Sequence, residues 1–178
     1  MKIKHPSFTY PGGGNYIKGF HVFVEAALNT LNSGNDVTFF LTGGRGFKPK
    51  HKEMLERLGD FMGKFKLLGF LPYEDTLKLY SRSHAVLVPS IWEEPSPYAV
   101  LEAMLMGTLP LASRVGGIPE IVKGTYAERL MFTPGCHEEM ADRMETVLSL
   151  SRDQLVDVGF KLREVALKRF NNEYEADL

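Results

Sequence analysis

Short apolar runs alternate with longer amphipathic segments along most of this chain of 178 residues. Because strands buried on both faces are continuously apolar, each short run predicts a strand inside a sheet. Strands that alternate with helices form βαβ units, and such units pack as a parallel sheet with helices on both faces. The predicted strands are residues 7–10, 37–41, 65–68, 85–88, 109–112 and 130–132.

The segments between these strands carry apolar residues at helical spacing. In residues 18–31, for example, Phe20, Val24, Ala27 and Leu31 recur every three or four positions and therefore share one helical face. The whole pattern predicts a Rossmann-like α/β fold, whose ligands bind at the carboxyl ends of the strands where the strand order reverses. Helices are predicted over residues 18–31, 51–62, 73–82, 97–106, 120–122, 137–150 and 152–170.

Length and composition restrict the class of protein. A chain of this length buries one core, so residues 1–178 are predicted to form one domain. Lys and Arg number 21 against 22 Asp and Glu, which gives no reason to expect nucleic acid or an anionic membrane as the main partner. A single cysteine, Cys136, fits a cytoplasmic location. No stretch has the apolar length of a transmembrane segment.

The segment most suggestive of chemistry contains two glutamates, Glu94 and Glu102, on either side of a predicted helix start. Pro97 suits the first turn of that helix. Glu102 lies about 7–8 Å further along the axis, so the two carboxylates suit the two ends of an extended ligand better than one scissile bond. The apolar neighbours of Glu102 predict a helix buried nearly all round, in which a carboxylate needs a partner.

A second candidate group is a lysine after a glycine-rich loop. Lys18 follows Gly12-Gly13-Gly14 and opens a predicted helix, and a helix N-terminus attracts anions through its free N–H groups and its dipole. Gly116-Gly117 offers a similar close approach of the backbone. Glu120, just beyond, suits a ligand contact or an ordinary acid in the first turn of a helix.

Together these motifs resemble glycosyltransferase family 4, a large family of retaining enzymes with the GT-B fold. The resemblance rests on Glu-Pro-x-x-x-x-x-Leu-Glu-Ala-Met from Glu94, then Gly107 and Gly116-Gly117-Ile118-Pro119-Glu120. It extends over residues 18–169. It implies transfer of a sugar from a nucleotide-diphosphate sugar, such as a UDP- or GDP-sugar, to an acceptor hydroxyl with retention, without a cofactor and without an obligatory metal.

The resemblance also implies roles for individual residues. Glu94 would act at the reacting sugar as the catalytic group, and Glu102 would bind the ribose hydroxyls. Lys18 would contact the diphosphate, together with the backbone of Gly13, Gly14 and Gly117. The remaining donor contacts would come from Ser96, Pro97 and Tyr98 along the sugar and phosphate, and from Leu71 at the base.

Two positions depart from the family pattern. The arginine that usually stands about five residues before the lysine is absent, which leaves glycine N–H groups or Arg45 as candidates for the second phosphate ligand. Ser96-Pro97 replaces the usual Phe-Gly, and proline removes one N–H donor. A non-catalytic nucleotide- or sugar-binding module of the same fold, or a nucleotide-sugar epimerase, therefore remains an alternative.

GT-B enzymes have two Rossmann-like domains with the active site between them, and this chain has the length of one. The expectation is that residues 1–178 form the C-terminal, donor-binding half, separated from an N-terminal acceptor-binding domain and inactive alone. The full enzyme would be cytoplasmic, with peripheral association with a membrane left open.

Overall fold

A computed structural model describes residues 5–43, 49–93 and 97–175. Its centre is a sheet of five parallel strands in the order β3-β2-β1-β4-β5, which confirms the predicted Rossmann-like fold class. β1, β4 and β5 have the predicted bounds, β2 begins and ends one residue later than predicted, and β3 ends one residue later. The strands are β1 Ser7–Tyr10, β2 Thr38–Thr42, β3 Phe65–Gly69, β4 Ala85–Val88 and β5 Leu109–Ala112.

Seven α-helices are present among the residues that the structure describes: α1 Phe20–Asn32, α2 Pro49–Glu56, α3 Tyr73–Arg82, α4 Tyr98–Leu105, α5 Ile118–Val122, α6 His137–Ser149 and α7 Arg152–Glu175. None of these helices is long and apolar enough to cross a membrane. The helix predicted over residues 51–62 is interrupted. α2 ends at Glu56, and a 3-10 helix, Gly59–Lys64, follows α2. Gly59 has a φ of 48°, and an α-helix cannot continue through a residue with this conformation.

The strand predicted over residues 130–132 is wrong. Leu130 ends a 3-10 helix, Tyr126–Leu130, and Phe132 makes only an isolated parallel bridge to Ser113. Leu130 and Phe132 are buried, so the apolar run that predicted a strand reflects packing beside β5. Burial in a 3-10 helix and burial in a strand need the same apolar composition.

An aromatic cluster joins α1 to the sheet. The ring of Tyr10, the last residue of β1, stacks on Phe23 of α1 with centroids 4.6 Å apart. The cluster continues with the stacked rings of Phe39 in β2 and Phe65 in β3, whose centroids are 4.9 Å apart. Such contacts add specific geometry to the burial of large apolar surfaces. The cluster therefore fixes the carboxyl end of β1 relative to the start of α1, where the predicted site lies.

Candidate functional site

The strand order reverses between β1 and β4, and the structure has a small cavity at that point. Parallel α/β sheets bind their ligands in the crevice at such a switch point. The cavity has a volume of about 90 Å³. Larger clefts of about 440 and 460 Å³ lie against α7, and the residues that follow the carboxyl ends of the strands do not line them. The residues that line the small cavity are Tyr10, Pro11, Gly12, Lys18, Leu87, Val88, Ser90 and Ala99.

The loops that follow β1 and β4 are held together beside this cavity. The N–H of Ile91 donates to the carbonyl of Ile17 over 2.9 Å. Gly19 has a φ of 75°, and a Cβ at this position would lie 1.8 Å from the carbonyl oxygen of Pro89. Only glycine therefore allows the start of α1 to approach the loop after β4 so closely.

Lys18 lines the cavity, but it does not open the helix as the sequence predicted. α1 begins at Phe20, and Gly19 occupies the N-cap position. Lys18 lies in the preceding turn, where the N–H of Gly19 donates to the carbonyl of Tyr16. The hydroxyl of Tyr10 donates to the carbonyl of Lys18 over 3.2 Å, which links this turn to the end of β1. The half-buried side chain thus starts from a fixed backbone.

The predicted glycines lie in the same loop but do not all present free N–H groups. The N–H of Gly13 donates to the carbonyl of Thr42 over 3.0 Å, so this group is engaged at the end of β2. Gly14 packs on the buried ring of His51, whose Nδ1 would lie 2.2 Å from a Cβ at position 14. If Gly13 contributes to binding, it would do so by letting the backbone approach the ligand closely, and not by donating its N–H. Arg45 lies outside the described residues.

Glu102 lies on α4, one turn beyond Ala99 of the cavity wall, and three residues along a helix return to the same face. Its side chain is half-buried, and that burial raises the pKa of the carboxyl group. The hydroxyl of Tyr73, the first residue of α3, interacts with the carboxylate by hydrogen bonding and opposes the shift. Burial is the larger of the two effects, so the pKa of the carboxyl group stays above its ordinary value.

The prediction that α4 is buried nearly all round is wrong. Val100, Ala103 and Met104 are buried, but Tyr98 is 69% exposed and Glu102 is half-buried. α4 packs on the sheet, α3 and α7, which together cover only part of its surface. Its open side carries Tyr98 and Glu102, so the predicted donor-binding residues of this helix are separate from its core face.

The loop after β3 leads into α3, the helix that packs against α4. Leu71 is half-buried in this loop, two residues before α3 begins at Tyr73. The predicted base-contacting residue therefore lies in a loop next to the helix pair that carries Glu102, and its contact with a base stays a prediction.

At the start of α4, the structure describes only part of the predicted site. Pro97 is the N-cap and accepts a hydrogen bond from the N–H of Val100 over 3.0 Å. Tyr98 is the first helical residue, so α4 begins one residue later than predicted. Glu94 and Ser96 lie outside the described residues, and their roles stay predictions.

The loop after β5 is tied to the loop after β4 by a buried serine that the sequence analysis did not single out. The hydroxyl of Ser113 donates to the carbonyl of Ser90 over 2.5 Å. Gly117 follows in this loop as the N-cap of α5, and Glu120 is exposed in the first turn of that helix. Gly117 thus lies in a loop anchored beside the cavity, whereas Glu120 has the place of an ordinary first-turn acid.

The doubly wound parallel sheet with a cavity at its switch point defines this chain as a Rossmann-like α/β domain. The sequence places it in a family: residues 5–150 match the profile described as "Glycosyl transferases group 1". The chain belongs to the group 1 glycosyl transferases.

One relative is similar in sequence, and two solved structures are similar in fold. The 2-deoxystreptamine glucosyltransferase of Streptomyces kanamyceticus is 30% identical over 143 residues, covering 80% of this chain and 36% of the relative. Anabaena HepE in complex with UDP superimposes with a TM-score of 0.81 at 23% identity, covering 98% of this chain and 49% of HepE. The chain thus spans about a third of that relative and about half of HepE.

The second structure is itself a single domain. The C-terminal domain of the group 1 glycosyl transferase LpcC from Francisella tularensis superimposes with a TM-score of 0.76 at 19% identity. The match covers 93% of this chain and 86% of that domain. These neighbours are GT-B glycosyltransferases, so the fold of this chain is that of a GT-B domain.

Proposed function

We propose that this chain is the donor-binding half of a retaining glycosyltransferase of family 4, and that it binds a nucleotide-diphosphate sugar at the carboxyl edge of its sheet. One observation carries the proposal: a cavity at the β1–β4 switch point is lined by Lys18 and by Ala99, and Glu102 lies one turn beyond Ala99 on α4. A cation and a carboxylate at that edge suit the diphosphate and the ribose of one extended ligand.

The chemistry of each group follows from its charge. Lys18 offsets the negative charge of the diphosphate, and this matters most as the sugar leaves, when charge develops on the phosphate oxygen. The ionised carboxylate of Glu102 accepts hydrogen bonds from the ribose hydroxyls. The base lies against the loop that contains Leu71. In this proposal no metal or cofactor takes part, and Glu94 supports the reacting sugar, with Ser96, Pro97 and Tyr98 alongside.

UDP is the first nucleotide to test. HepE was solved in complex with UDP and, in another structure, with UDP-glucose. The superposition covers 94% of this chain in the UDP-glucose complex. We therefore propose a UDP-sugar as donor, with a GDP-sugar as the second choice.

A second domain would complete the enzyme. The chain spans 36% of the glucosyltransferase relative and 49% of HepE, so both have room for another domain of similar size. We propose that an N-terminal domain supplies the acceptor site and that the isolated chain binds donor with negligible transfer. Transfer by the isolated chain at the rate of a complete enzyme would contradict this part of the proposal.

The binding test is a calorimetric titration of the chain with UDP, GDP and ADP. We expect one of the three to bind, and Lys18→Ala and Glu102→Gln each to weaken it about tenfold, the usual loss for a charge-assisted contact. Lys161→Ala and Glu120→Gln are the matched controls, because both side chains are exposed away from the cavity. A chain that binds none of the three nucleotides overturns the proposed function.

A further inference from the structure

A buried histidine of α2, His51, packs against the loop that precedes Lys18. We infer that His51 is a positioning residue for the diphosphate part of the proposed nucleotide site: its ring holds the glycine-rich loop and the start of α1 in place, and thereby fixes the backbone of Lys18. The inference rests on the proposed function, because it concerns how the same site is built.

The first contact of His51 is with the glycine-rich loop. A Cβ at position 14 would lie 2.2 Å from Nδ1 and 2.3 Å from Cε1 of the ring. The ring therefore occupies the space of a side chain at this position and touches the backbone of Gly14. The φ of Gly14 is not positive, so the ring, and not the conformation of the backbone, excludes a side chain here.

The second contact of His51 is with the start of α1. The rings of His51 and Phe20 have centroids 5.4 Å apart and meet edge to face at 69°. Phe20 is the first residue of α1 and is itself buried. Because His51 is only 8% exposed, its ring has little room to move in a close-packed interior.

The two contacts lie at the two ends of the segment that carries Lys18. In the sequence, Lys18 stands between Gly14 and Phe20. The segment is closed by its own backbone, since the N–H of Phe20 donates to the carbonyl of Asn15 over 3.2 Å. A shift of either end would therefore shift the backbone from which the cation extends.

The loop and the cation face the same space. Gly12 and Lys18 both line the cavity at the switch point, whereas His51 does not. His51 therefore acts through these residues and not by a contact with the ligand. A segment that is ordered before the ligand arrives loses less entropy on binding, so the ring of His51 raises the affinity for a diphosphate.

The experiment is a double-mutant cycle with His51→Ala and Gly14→Ala, in which UDP, GDP and ADP are each titrated calorimetrically into folded protein. His51→Ala removes the ring, and Gly14→Ala pushes the loop away from it. Each should weaken binding of the nucleotide that binds by about three- to tenfold. In the double variant the new methyl group enters the space that the ring has left, so it should bind more tightly than either single variant.

Two controls carry the same substitutions elsewhere. Gly63→Ala adds a methyl group to an exposed glycine that has no heavy atom within 4 Å of its Cβ position and no positive φ. His84→Ala removes a half-buried ring just before β4, at the opposite edge of the sheet, where Nδ1 accepts from the N–H of Ser7 over 3.2 Å. Both should leave the nucleotide affinity unchanged, although His84→Ala should lower the free energy of unfolding.

A merely structural role for His51 would lower the unfolding midpoint and leave the affinity of the folded chain unchanged. Unchanged affinity in both single variants, or a double variant that binds no better than either of them, overturns this inference and leaves the proposed function standing. If His51→Ala does not fold, the comparison of Gly14→Ala with Gly63→Ala decides in the same way. An unmodified chain that binds none of the three nucleotides overturns both.

Discussion

The N–H of Ile91 donates a 2.9 Å hydrogen bond to the carbonyl of Ile17, and this bond joins the loops that follow β1 and β4. Beside it, Gly19 lies against the carbonyl of Pro89. The cavity with Lys18 therefore has walls from two loops that are distant in the sequence and locked together by their backbones.

Gly19→Ala is expected to destabilise the fold by about 3 kcal/mol or more, because the new Cβ combines a strained positive φ with a collision against Pro89. Gly34→Ala is the matched control: Gly34 also has a positive φ, 86°, but nothing lies within 4 Å of its Cβ position. It should cost about 1 kcal/mol from backbone strain alone. Urea unfolding measures both values, and equal losses would show that the contact with Pro89 is unimportant.

Arg169→Ala is expected to cost about 1–2 kcal/mol in the free energy of unfolding. The guanidinium group of Arg169 donates to the carbonyl oxygens of Glu120, Ile121 and Lys123, at the end of α5. These carbonyls have no partner further along the helix, so the arginine of α7 acts as their cap. Lys168→Ala removes the adjacent exposed cation as a control, and thermal unfolding should separate the two variants.

Ser113→Ala is expected to cost about 1–3 kcal/mol, because the buried carbonyl of Ser90 loses a donor. Ser149→Ala removes a similar hydroxyl-to-carbonyl bond, to Thr146, from an exposed position. The exposed carbonyl can turn to water, so this control should change stability by a few tenths of a kcal/mol. Similar unfolding midpoints for the two variants would contradict the anchoring role of Ser113.

Glu102→Gln should stabilise the fold at neutral pH while it weakens nucleotide binding. Burial raises the pKa of Glu102 in the folded chain, so the folded state holds this proton more tightly than the unfolded state. The stability gained from that proton is present at acid pH and is lost as the pH rises through the raised pKa. The glutamine side chain has no proton to lose in this range, so the variant keeps its stability as the pH rises.

The advantage of Glu102→Gln in unfolding free energy should therefore grow as the pH rises above the ordinary glutamate pKa of about 4.3, and it should level off above the raised pKa of the folded chain. Glu120→Gln, at an exposed position, serves as the control and should follow the unmodified chain over the same range. A constant difference between Glu102→Gln and the unmodified chain across the series would rule out titration of Glu102 as its source.

One correctly predicted strand shows why the apolar pattern could succeed. Ala85–Val88 is a central strand, so both faces are buried and every residue is apolar. The same reasoning failed for residues 130–132, where the apolar run is buried by a 3-10 helix beside β5. An apolar run indicates that a segment is buried. Whether that segment is a strand depends on its hydrogen bonds to a neighbouring strand, and these form only in the assembled fold.

The candidate site shows the same division. Lys18 and Glu102 could be selected from the sequence because each is a charged group in a recognisable local frame, a turn before a helix and an apolar helix. The effect of Tyr73 on the pKa of Glu102 could not be predicted in this way, because it depends on α3 packing against α4. The bond from Ser113 to Ser90 could not be predicted either, because it depends on β5 lying beside β4. The hydrogen bond from the N–H of Gly13 to the carbonyl of Thr42 likewise depends on the ends of two neighbouring strands.

The position of β1 between β2 and β4 has a consequence for synthesis of the chain. When β1 and β2 have left the ribosome, β4 has not yet been made, so one side of β1 is an unpaired sheet edge. Joining Thr9 to Val86 closes a long loop, and such closures slow folding. A nascent chain that ends before Ala85 therefore exposes an unpaired strand edge beside the place where the folded protein has its cavity. Chaperone contacts should be concentrated at that edge.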